Sequence, residues 1–249
     1  MSAPAWLTAR PIAHRGLHDR SRGIVENTLT AADAAVAGGF AIECDVQDTA
    51  DGEAIVFHDH TLERLTGEHG PVRERNAAEL TALAVAATDD RIPTLEAFLA
   101  RVAGRVPVIV EIKSRFDGDL TLTRRTVAVA AAYDGAVALK SFDPAVVGSL
   151  RGVAPDMPRG IIAQARYDGR EWQGLSDEAR HAMANLLHLS HTQPDFVSWR
   201  VGDLPLAAPF LCRHLGKLPV MTWTVRSDVD RRRAAAHADQ MVFEGFVPS

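Results

Sequence analysis

The stretch FAIECDVQDTADGEAIVFHD, residues 40–59, decides how the chain divides into strands and therefore which fold it can form. Residues 40–46 are predicted as a strand because they are mostly apolar and rich in β-favouring residues. Asp51-Gly52 is the strongest short-range signal for a hairpin turn, and residues 54–57 then form the returning antiparallel strand.

The register of this hairpin decides which side chains lie across from one another. If Asp51 and Gly52 are the two central residues of the turn, His58 lies directly opposite Asp45 and within reach of a shared ligand. One added loop residue would shift the pairing. The sequence therefore predicts that His58 faces Asp45 if the turn has two residues.

Strand patterns recur along the chain and alternate with helical patterns. Besides residues 54–57, the predicted strands are residues 10–14, 40–46, 106–112, 136–142, 159–163, 195–199, 219–225 and 240–244. Because residues 54–57 return antiparallel at the rim, they take no place among the parallel strands, and eight of these remain. The pattern predicts an α/β fold, a TIM (β/α)8 barrel with a β-hairpin extension after strand 2.

Helices are predicted between the strands, where Thr28 and Thr94 provide side chains suited to N-caps. The predicted helices are residues 30–36, 95–102, 120–133, 144–153, 176–187, 204–215 and 228–236. Residues 60–92 are polar and irregular and predict a small loop elaboration over the top of the fold, with one short helix at residues 77–83.

The competing fold is an open, doubly wound sheet. Its Gly-x-Gly-x-x-Gly phosphate motif does not follow the first predicted strand. No glycine-, proline- or serine-rich linker interrupts the alternation of strands and helices, so residues 1–249 are predicted to form one domain.

The composition is that of a globular chain with a large core, since 47% of the residues are hydrophobic and 24% are charged. With Lys+Arg 27 against Asp+Glu 32, the net charge of −5 provides no basic field for nucleic acid or an anionic membrane. A phosphate ligand would therefore need local positive charge.

The N-terminal residues and the cysteines bear on the cellular compartment of the protein. Residues 1–10 lack the basic and apolar segments of a signal peptide, and no apolar run is long enough to span a bilayer. Cys44 and Cys212 fit no metal spacing and are read as free thiols. We therefore expect a cytoplasmic protein without a stable membrane anchor, and the oligomeric state stays open.

Paired carboxylates indicate a metal site. Glu43 and Asp45 are two residues apart on a strand and share a face, while Cys44 points the other way. Their repulsion must be relieved by protonation, basic neighbours or a cation, and oxygen ligands favour Mg²⁺, Ca²⁺ or Mn²⁺. Ion pairing at the barrel rim is the plain alternative, but Glu111 adds a third carboxylate at the end of the next barrel strand and favours metal.

Two histidines and two cations complete the candidate site. His14 and His58 end strands near the carboxylates, and imidazoles suit proton transfer near neutral pH. The other histidines of the chain lack such a setting and are treated as surface or packing residues. Arg15 offers paired donors to phosphate oxygens and Lys113 a point charge. Together with a divalent cation they suit a phosphodiester, whose transition state gains negative charge.

Aromatic residues near the ends of later strands are candidates for pocket walls. Trp223 and Phe142 both lie where barrel enzymes hold substrate. Core or rim packing explains Trp223 equally well and explains Phe142 better.

In their order along the chain, these residues resemble the glycerophosphodiester phosphodiesterases. The resemblance covers nearly the whole chain and implies a TIM barrel that hydrolyses glycerophosphodiesters to glycerol 3-phosphate and an alcohol. It is carried by His14-Arg15-Gly16, Glu26-Asn27-Thr28, Glu43-x-Asp45, Asp51-Gly52 leading to His58-Asp59, Glu111-Ile112-Lys113, Ser141-Phe142 and Trp223-Thr224-Val225.

The resemblance also implies a role for each residue that matches. One divalent cation, Mg²⁺ or Ca²⁺ and in third place Mn²⁺, would be held by Glu43, Asp45 and Glu111. His14 and His58 would be the acid/base pair, Arg15 and Lys113 would bind phosphate, and Glu26 and Asn27 would support the site. Trp223 is taken as the substrate-binding aromatic residue from its position near the end of a barrel strand. Whether water or the glycerol 2-hydroxyl is the nucleophile stays open.

The sequence departs from the family pattern at three places. Val25 replaces the usual proline before Glu-Asn-Thr, Arg226 follows Trp-Thr-Val where asparagine is common, and Glu244 lies where the last strand usually ends in Thr-Asp. None removes a carboxylate or histidine named above. The last two concern the pockets for glycerol and the alcohol.

Three other functions compete with this interpretation. A lysophospholipase D-type barrel needs a place for an acyl chain, and residues 60–92 contain few large apolar residues. A non-catalytic phosphodiester-binding protein predicts a lost histidine or carboxylate, yet all are present. A carbon–carbon lyase with a Schiff-base lysine is disfavoured because carboxylates around Lys113 would hold it protonated.

Overall fold

A computed structural model describes residues 3–248 of the chain. The strands are β1 (Ile12–Ala13), β2 (Ala41–Asp48), β3 (Ala54–Val56), β4 (Val108–Ile112), β5 (Val137–Ser141), β6 (Arg159–Ala163), β7 (Phe196–Arg200), β8 (Val220–Val225) and β9 (Gln240–Phe243). The helices are α1 (Leu29–Ala37), α2 (Ala77–Thr81), α3 (Leu95–Val102), α4 (Thr121–Ala131), α5 (Pro144–Val153), α6 (Asp177–Ala184), α7 (Leu189–Thr192), α8 (Ala207–His214) and α9 (Asp228–His237).

The strand order is that of a TIM barrel. It runs β1-β9-β8-β7-β6-β5-β4-β2-β3, and β1 also pairs with β2, which makes a ring of all strands except β3. Within the ring the registered pairs are parallel, whereas β3 pairs with β2 antiparallel. The prediction of a barrel with a hairpin extension is therefore confirmed.

The described chain forms two compact units. The N-terminal unit holds residues 12–113 and 119–138, and the C-terminal unit holds residues 3–11, 114–118 and 139–248. Each has buried apolar residues of its own: Val46, Val108 and Val110 in the first and Val197, Trp199 and Val220 in the second are at most 1% exposed.

Helix ends follow the capping residues in the sequence. Thr94 accepts a hydrogen bond from the Ala97 amide and begins α3, whose bounds are those predicted. Helix α8 begins later than predicted. Leu204 precedes Pro205 and is extended, with φ −88° and ψ 141°, because a residue before proline avoids the helical region.

The hairpin between β2 and β3 differs from the predicted two-residue turn. The Thr49 amide nitrogen donates to the Glu53 carbonyl oxygen at 3.1 Å, which leaves residues 50–52 as a three-residue loop. Gly52 has φ 78° and donates its amide to the Thr49 carbonyl. Such loops commonly combine a type I turn with one residue in the left-handed conformation, which glycine adopts without strain.

The extra loop residue shifts the register by one. The Phe57 amide donates to the Asp45 carbonyl at 3.0 Å, so Phe57, and not His58, follows the ladder opposite Asp45. His58 lies beyond the end of β3, where its carbonyl accepts a hydrogen bond from Gln47 Nε2 at 2.9 Å. The prediction that His58 faces Asp45 across the ladder is wrong.

The loop elaboration at residues 60–92 has an apolar interior. Its few large apolar residues are almost all buried and pack against Val25, Ile55 and Phe57. They are Leu62, Leu65, Val72, Leu80, Val85 and Ile92. The elaboration is therefore a compact part of the N-terminal unit, although its sequence is mostly polar. Within residues 3–248, no helix has both the length and the hydropathy needed to cross a bilayer.

Candidate active site

Three carboxylates converge where the middle of β2 lies beside the carboxyl end of β4. Asp45 and Glu111 are register partners in the parallel pair, and Glu43 shares the face of Asp45 two residues earlier. The residues are 1% (Glu43), 1% (Asp45) and 7% (Glu111) exposed, and each offers a carboxylate oxygen within 4.8 Å of the others. The strand register therefore creates a buried, all-oxygen cluster of the kind that hard divalent cations prefer.

Two basic side chains balance this negative charge. Lys113 Nζ lies 2.7 Å from Asp45 Oδ1 and also contacts Glu111. Arg15 Nε lies 3.3 Å from Asp45 Oδ2. Burial alone would lower the pKa of Lys113, but the charges of Asp45 and Glu111 raise it above its ordinary value. Lys113 therefore stays protonated, as expected from its carboxylate neighbours.

Asp45 lies at the electrostatic centre of the cluster. Burial opposes its ionisation, yet the positive charges of Lys113, His58, Arg15 and His14 outweigh burial and hold the pKa of Asp45 well below its ordinary value. The carboxylate is ionised and available as a ligand.

The turn after β1 places His14 and Arg15 against Glu43. The Arg15 amide donates to Glu43 Oε2 at 3.1 Å, and the Gly16 amide donates to the Glu43 carbonyl at 3.2 Å. Arg15 and Gly16 have φ values of 56° and 79°, in the left-handed region. This conformation brings His14 Nε2 to 3.9 Å from Glu43 Oε2.

Asn27 and Glu26 hold this turn from the other side. Asn27 Nδ2 donates to Asp45 Oδ2 at 2.9 Å, and its own amide donates to the Arg15 carbonyl at 2.9 Å. Glu26 Oε1 accepts a hydrogen bond from Arg15 Nη1 at 2.6 Å. Both residues therefore contact groups of the cluster, and their supporting role stays a prediction.

His58 is oriented by its neighbour in the chain. Its Nδ1 lies 2.7 Å from Asp59 Oδ1, and its side chain is 32% exposed. A carboxylate at this position favours the tautomer with the proton on Nδ1, which leaves Nε2 able to accept a proton. Burial would raise the pKa of Asp59, but hydrogen bonds from His58 and Arg64 lower it.

The sequence did not single out Arg64, which binds both Asp59 and Glu26. Asp59 itself could have been noticed, since a carboxylate directly after a candidate catalytic histidine is a local signal. Arg64 carries no local signal, because its partner Glu26 lies 38 residues away in the sequence.

Trp223 belongs to the C-terminal unit, whereas the other candidate residues belong to the N-terminal unit. Its Nε1 donates to the Ser198 carbonyl at 2.9 Å, and its ring meets Phe142 edge-on with centroids 5.5 Å apart. The Phe142 ring also packs against the Trp172 ring, with centroids 5.1 Å apart. Trp223 is therefore part of an aromatic cluster that also contains Phe142 and Trp172.

Two departures from the expected family pattern are partners in the structure. Arg226 Nε donates to Glu244 Oε1 at 2.7 Å, within the C-terminal unit. The third departure, Val25, is 2% exposed and packs in the core of the loop elaboration.

The sequence matches the glycerophosphoryl diester phosphodiesterase family over residues 14–243. The chain is 26% identical over 245 residues to YhdW of Bacillus subtilis, which is provisionally described as a glycerophosphodiester phosphodiesterase. That match covers 95% of this chain and 92% of YhdW.

Solved structures agree. A phosphodiesterase of Oleispira antarctica, in complex with the product sn-glycerol-3-phosphate, is 21% identical and shares the fold with a TM-score of 0.75, over 98% of this chain and 95% of that one. A glycerophosphoryl diester phosphodiesterase, so described provisionally, from Silicibacter pomeroyi is 27% identical with a TM-score of 0.73, over 94% and 89%. The chain described here belongs to the glycerophosphoryl diester phosphodiesterase family.

Proposed function

We propose that the chain, a glycerophosphodiester phosphodiesterase by its family, uses a divalent cation and two histidines to release glycerol 3-phosphate and an alcohol. The observation that carries the proposal is the buried cluster of Glu43, Asp45 and Glu111, whose oxygens lie within 4.8 Å of one another. Lys113 and Arg15 contact this cluster, and its three carboxylates outnumber these two cations, which favours a divalent ion as the further positive charge.

The residues of the cluster fit a hard cation. Only oxygen atoms are offered by its acidic members, which favours Mg²⁺ or Ca²⁺ and in third place Mn²⁺ over softer metals. When bound, such an ion would neutralise charge on the non-bridging phosphate oxygens. Asp45 is suited to hold it because nearby positive charges keep this carboxylate ionised.

Arg15 and Lys113 are proposed to bind the phosphate. The charges of Asp45, Glu26 and Glu43 outweigh the effect of burial and raise the pKa of Arg15, so both side chains are permanent cations. Glu26 Oε1 accepts a hydrogen bond from Arg15 Nη1 at 2.6 Å, which orients the guanidinium. Fixed positive charge lowers the barrier as the phosphoryl oxygens gain charge.

His14 and His58 are proposed to exchange protons with the nucleophile and the leaving group. One histidine takes a proton from the nucleophile as its oxygen bonds to phosphorus; the nucleophile is water, or the glycerol 2-hydroxyl on a route that forms a cyclic phosphate, which water then opens to glycerol 3-phosphate. The other histidine gives a proton to the alcohol oxygen as its bond to phosphorus breaks. The hydrogen bond from His58 Nδ1 to Asp59 leaves Nε2 for this transfer.

Trp223 is proposed to contact the substrate. The product sn-glycerol-3-phosphate bound by the Oleispira antarctica enzyme supports a small phosphodiester as substrate here. The cytoplasmic location and a role in glycerol and lipid metabolism stay predictions.

The proposal is tested by measuring glycerol 3-phosphate release from glycerophosphocholine and glycerophosphoethanolamine, with and without a chelator. We expect chelator-sensitive release that falls at least about a hundredfold in His58→Ala, the loss typical of a missing acid or base. The matched control is His69→Ala, because His69 is in the same unit, its side chain is 88% exposed and it contacts only Glu63 among the ion pairs found.

Release that resists chelation would contradict the metal, and a fully active His58→Ala would contradict the acid/base role. No release from either substrate by a protein that binds Mn²⁺ would point to another phosphodiester or to a binding function.

A further inference from the structure

Arg64 joins two carboxylates that each hold a residue of the candidate site. Its Nε and Nη2 donate to Asp59 at 2.6 and 3.0 Å. Its Nη1 and Nη2 donate to Glu26 at 2.9 and 2.7 Å. One guanidinium thus makes a paired contact to each carboxylate, a geometry that only the planar fork of arginine provides.

The two carboxylates are themselves engaged with the candidate catalytic and phosphate-binding groups. Asp59 Oδ1 lies 2.7 Å from His58 Nδ1, and Glu26 Oε1 lies 2.6 Å from Arg15 Nη1. A continuous series of charged hydrogen bonds therefore runs from His58 through Asp59, Arg64 and Glu26 to Arg15. All five residues belong to the N-terminal unit.

The position of Arg64 is set by its neighbours in the loop elaboration. Leu62 and Leu65 are 0% and 1% exposed and pack in the apolar interior of residues 60–92. The Thr66 amide donates to the Leu62 carbonyl at 3.0 Å and closes a turn around Arg64. The packing of these neighbours thus holds the backbone from which the guanidinium reaches Asp59 and Glu26.

We propose that Arg64 is a positioning residue that couples the orientation of the His58 imidazole to that of the Arg15 guanidinium. The inference rests on the roles proposed above for His58 and Arg15. It assigns a function to the loop elaboration, which would hold the acid/base group and the phosphate-binding group in one frame. Arg64 acts through Asp59 and Glu26 and is not itself placed on the reacting atoms.

Removal of Arg64 should reduce turnover without unfolding the protein. Arg64→Ala leaves Asp59 and Glu26 without their common partner, so both His58 and Arg15 gain freedom. We expect kcat/KM to fall about 10- to 100-fold, the loss typical when a partner that orients a functional group is removed. Arg64→Lys keeps the charge but cannot bind both carboxylates in pairs, so it should recover only part of the activity.

The matched control is Arg101→Ala. Arg101 also makes a paired contact to one carboxylate, Asp33, at 2.6 to 3.0 Å, and it lies in the same unit with a 56% exposed side chain. Its loss removes a similar ion pair outside the series and should leave kcat/KM unchanged.

Chemical rescue separates positioning from general stabilisation. The Arg64 side chain is 41% exposed, so free guanidinium can reach its place in Arg64→Ala. Millimolar guanidinium chloride should restore activity to Arg64→Ala, whereas sodium chloride at the same ionic strength should not. Wild-type kcat/KM in Arg64→Ala, or equal recovery with both salts, would overturn the proposal.

A spectroscopic readout keeps the test independent of turnover. In proton–nitrogen spectra of the histidine rings, wild type should show His58 with its proton on Nδ1, and Arg64→Ala should lose that single tautomer while Arg101→Ala keeps it. An unchanged His58 signal in Arg64→Ala, or in Arg64→Lys if the alanine variant does not fold, would overturn the inference. An inactive wild type would contradict the proposed function alone.

Discussion

At the scale of single residues, Asn27 supports the site through both its side chain and its backbone. Its φ of 59° lies in the left-handed region, which asparagine adopts more readily than most residues. In this conformation the side-chain nitrogen Nδ2 of Asn27 donates to Asp45 Oδ2 at 2.9 Å. The backbone amide of Asp45 donates to Asn27 Oδ1 at 3.3 Å.

We expect Asn27→Ala to weaken the affinity for Mn²⁺ or Mg²⁺ about 10- to 100-fold, the usual effect of losing a group that orients a metal ligand. Titration calorimetry measures this affinity. Asn27→Gly is the matched control, because it loses the same amide but accepts the positive φ without strain. Both variants should lose affinity equally, and the alanine variant should be about 1 kcal/mol less stable than the glycine variant because only alanine is strained at this positive φ. Unchanged affinity in either would contradict the role.

Glu26 makes stability depend on pH. Burial would raise its pKa, but hydrogen bonds and charge from Arg64 and Arg15 lower it to about 2. Since the folded pKa lies below the unfolded value of 4.5, its contribution is complete above about pH 4.5 and is lost as the pH falls towards 2.

Glu26→Gln should therefore be less stable than wild type at pH 7, and its stability should fall less steeply between pH 4.5 and 2. Urea unfolding at a series of pH values measures both effects. A variant whose free energy of unfolding parallels that of wild type across this window would show that Glu26 is not the titrating group.

At the scale of elements, the contact between the β1 turn and α1 depends on Gly16. A Cβ added there would lie 2.8 Å from Ala31 Cβ and 2.9 Å from the Ala31 carbonyl carbon, and φ is 79°. The turn that carries His14 and Arg15 is therefore packed directly on the helix.

Gly16→Ala should reduce the free energy of unfolding by about 2 to 6 kcal/mol, since strain at positive φ and overpacking each cost about 1 to 3 kcal/mol. Gly23→Ala is the control, because Gly23 has φ 72° but nothing within 4 Å of an added Cβ. It should lose only about 1 kcal/mol. Equal losses in chemical denaturation would exclude the contact with Ala31 as the cause.

Elements bounded by local signals were predicted best. Helices α3 and α5 have their predicted bounds. Thr94 caps the start of α3, and Asp143 followed by Pro144 starts α5, so each start depends only on residues close in sequence. The hairpin turn was one residue longer than predicted. Asp51-Gly52 is compatible with a two-residue and with a three-residue loop. The register in which β2 pairs with β3 determines that the loop has three residues.

At the scale of the whole molecule, residues 1–249 stay predicted to form one domain. All four tryptophans of the sequence, Trp6, Trp172, Trp199 and Trp223, lie in the C-terminal unit. Tryptophan fluorescence therefore reports unfolding of that unit, while far-UV circular dichroism reports helices in both units.

If the chain is one domain, the two signals should change in a single coincident transition in urea. Measuring both on one sample provides the test. A circular dichroism transition without a fluorescence change would show that the N-terminal unit unfolds separately.

The sequence alone was sufficient for the fold class and for the types of residue that the candidate site contains. Alternating patterns reveal strands and helices because each depends on neighbours in the chain. Parallel strands bring their carboxyl ends to one edge, so Glu43, Asp45 and Glu111 could be expected together before any coordinate was known.

Only the tertiary structure decided which residues hold that site in place. The bridge from Arg64 to Glu26, the contact of the Arg15 amide with Glu43 and the contact of Phe142 with Trp172 join segments far apart in sequence. Local patterns carry no information on such contacts, because chain folding, and not sequence proximity, brings the partners together.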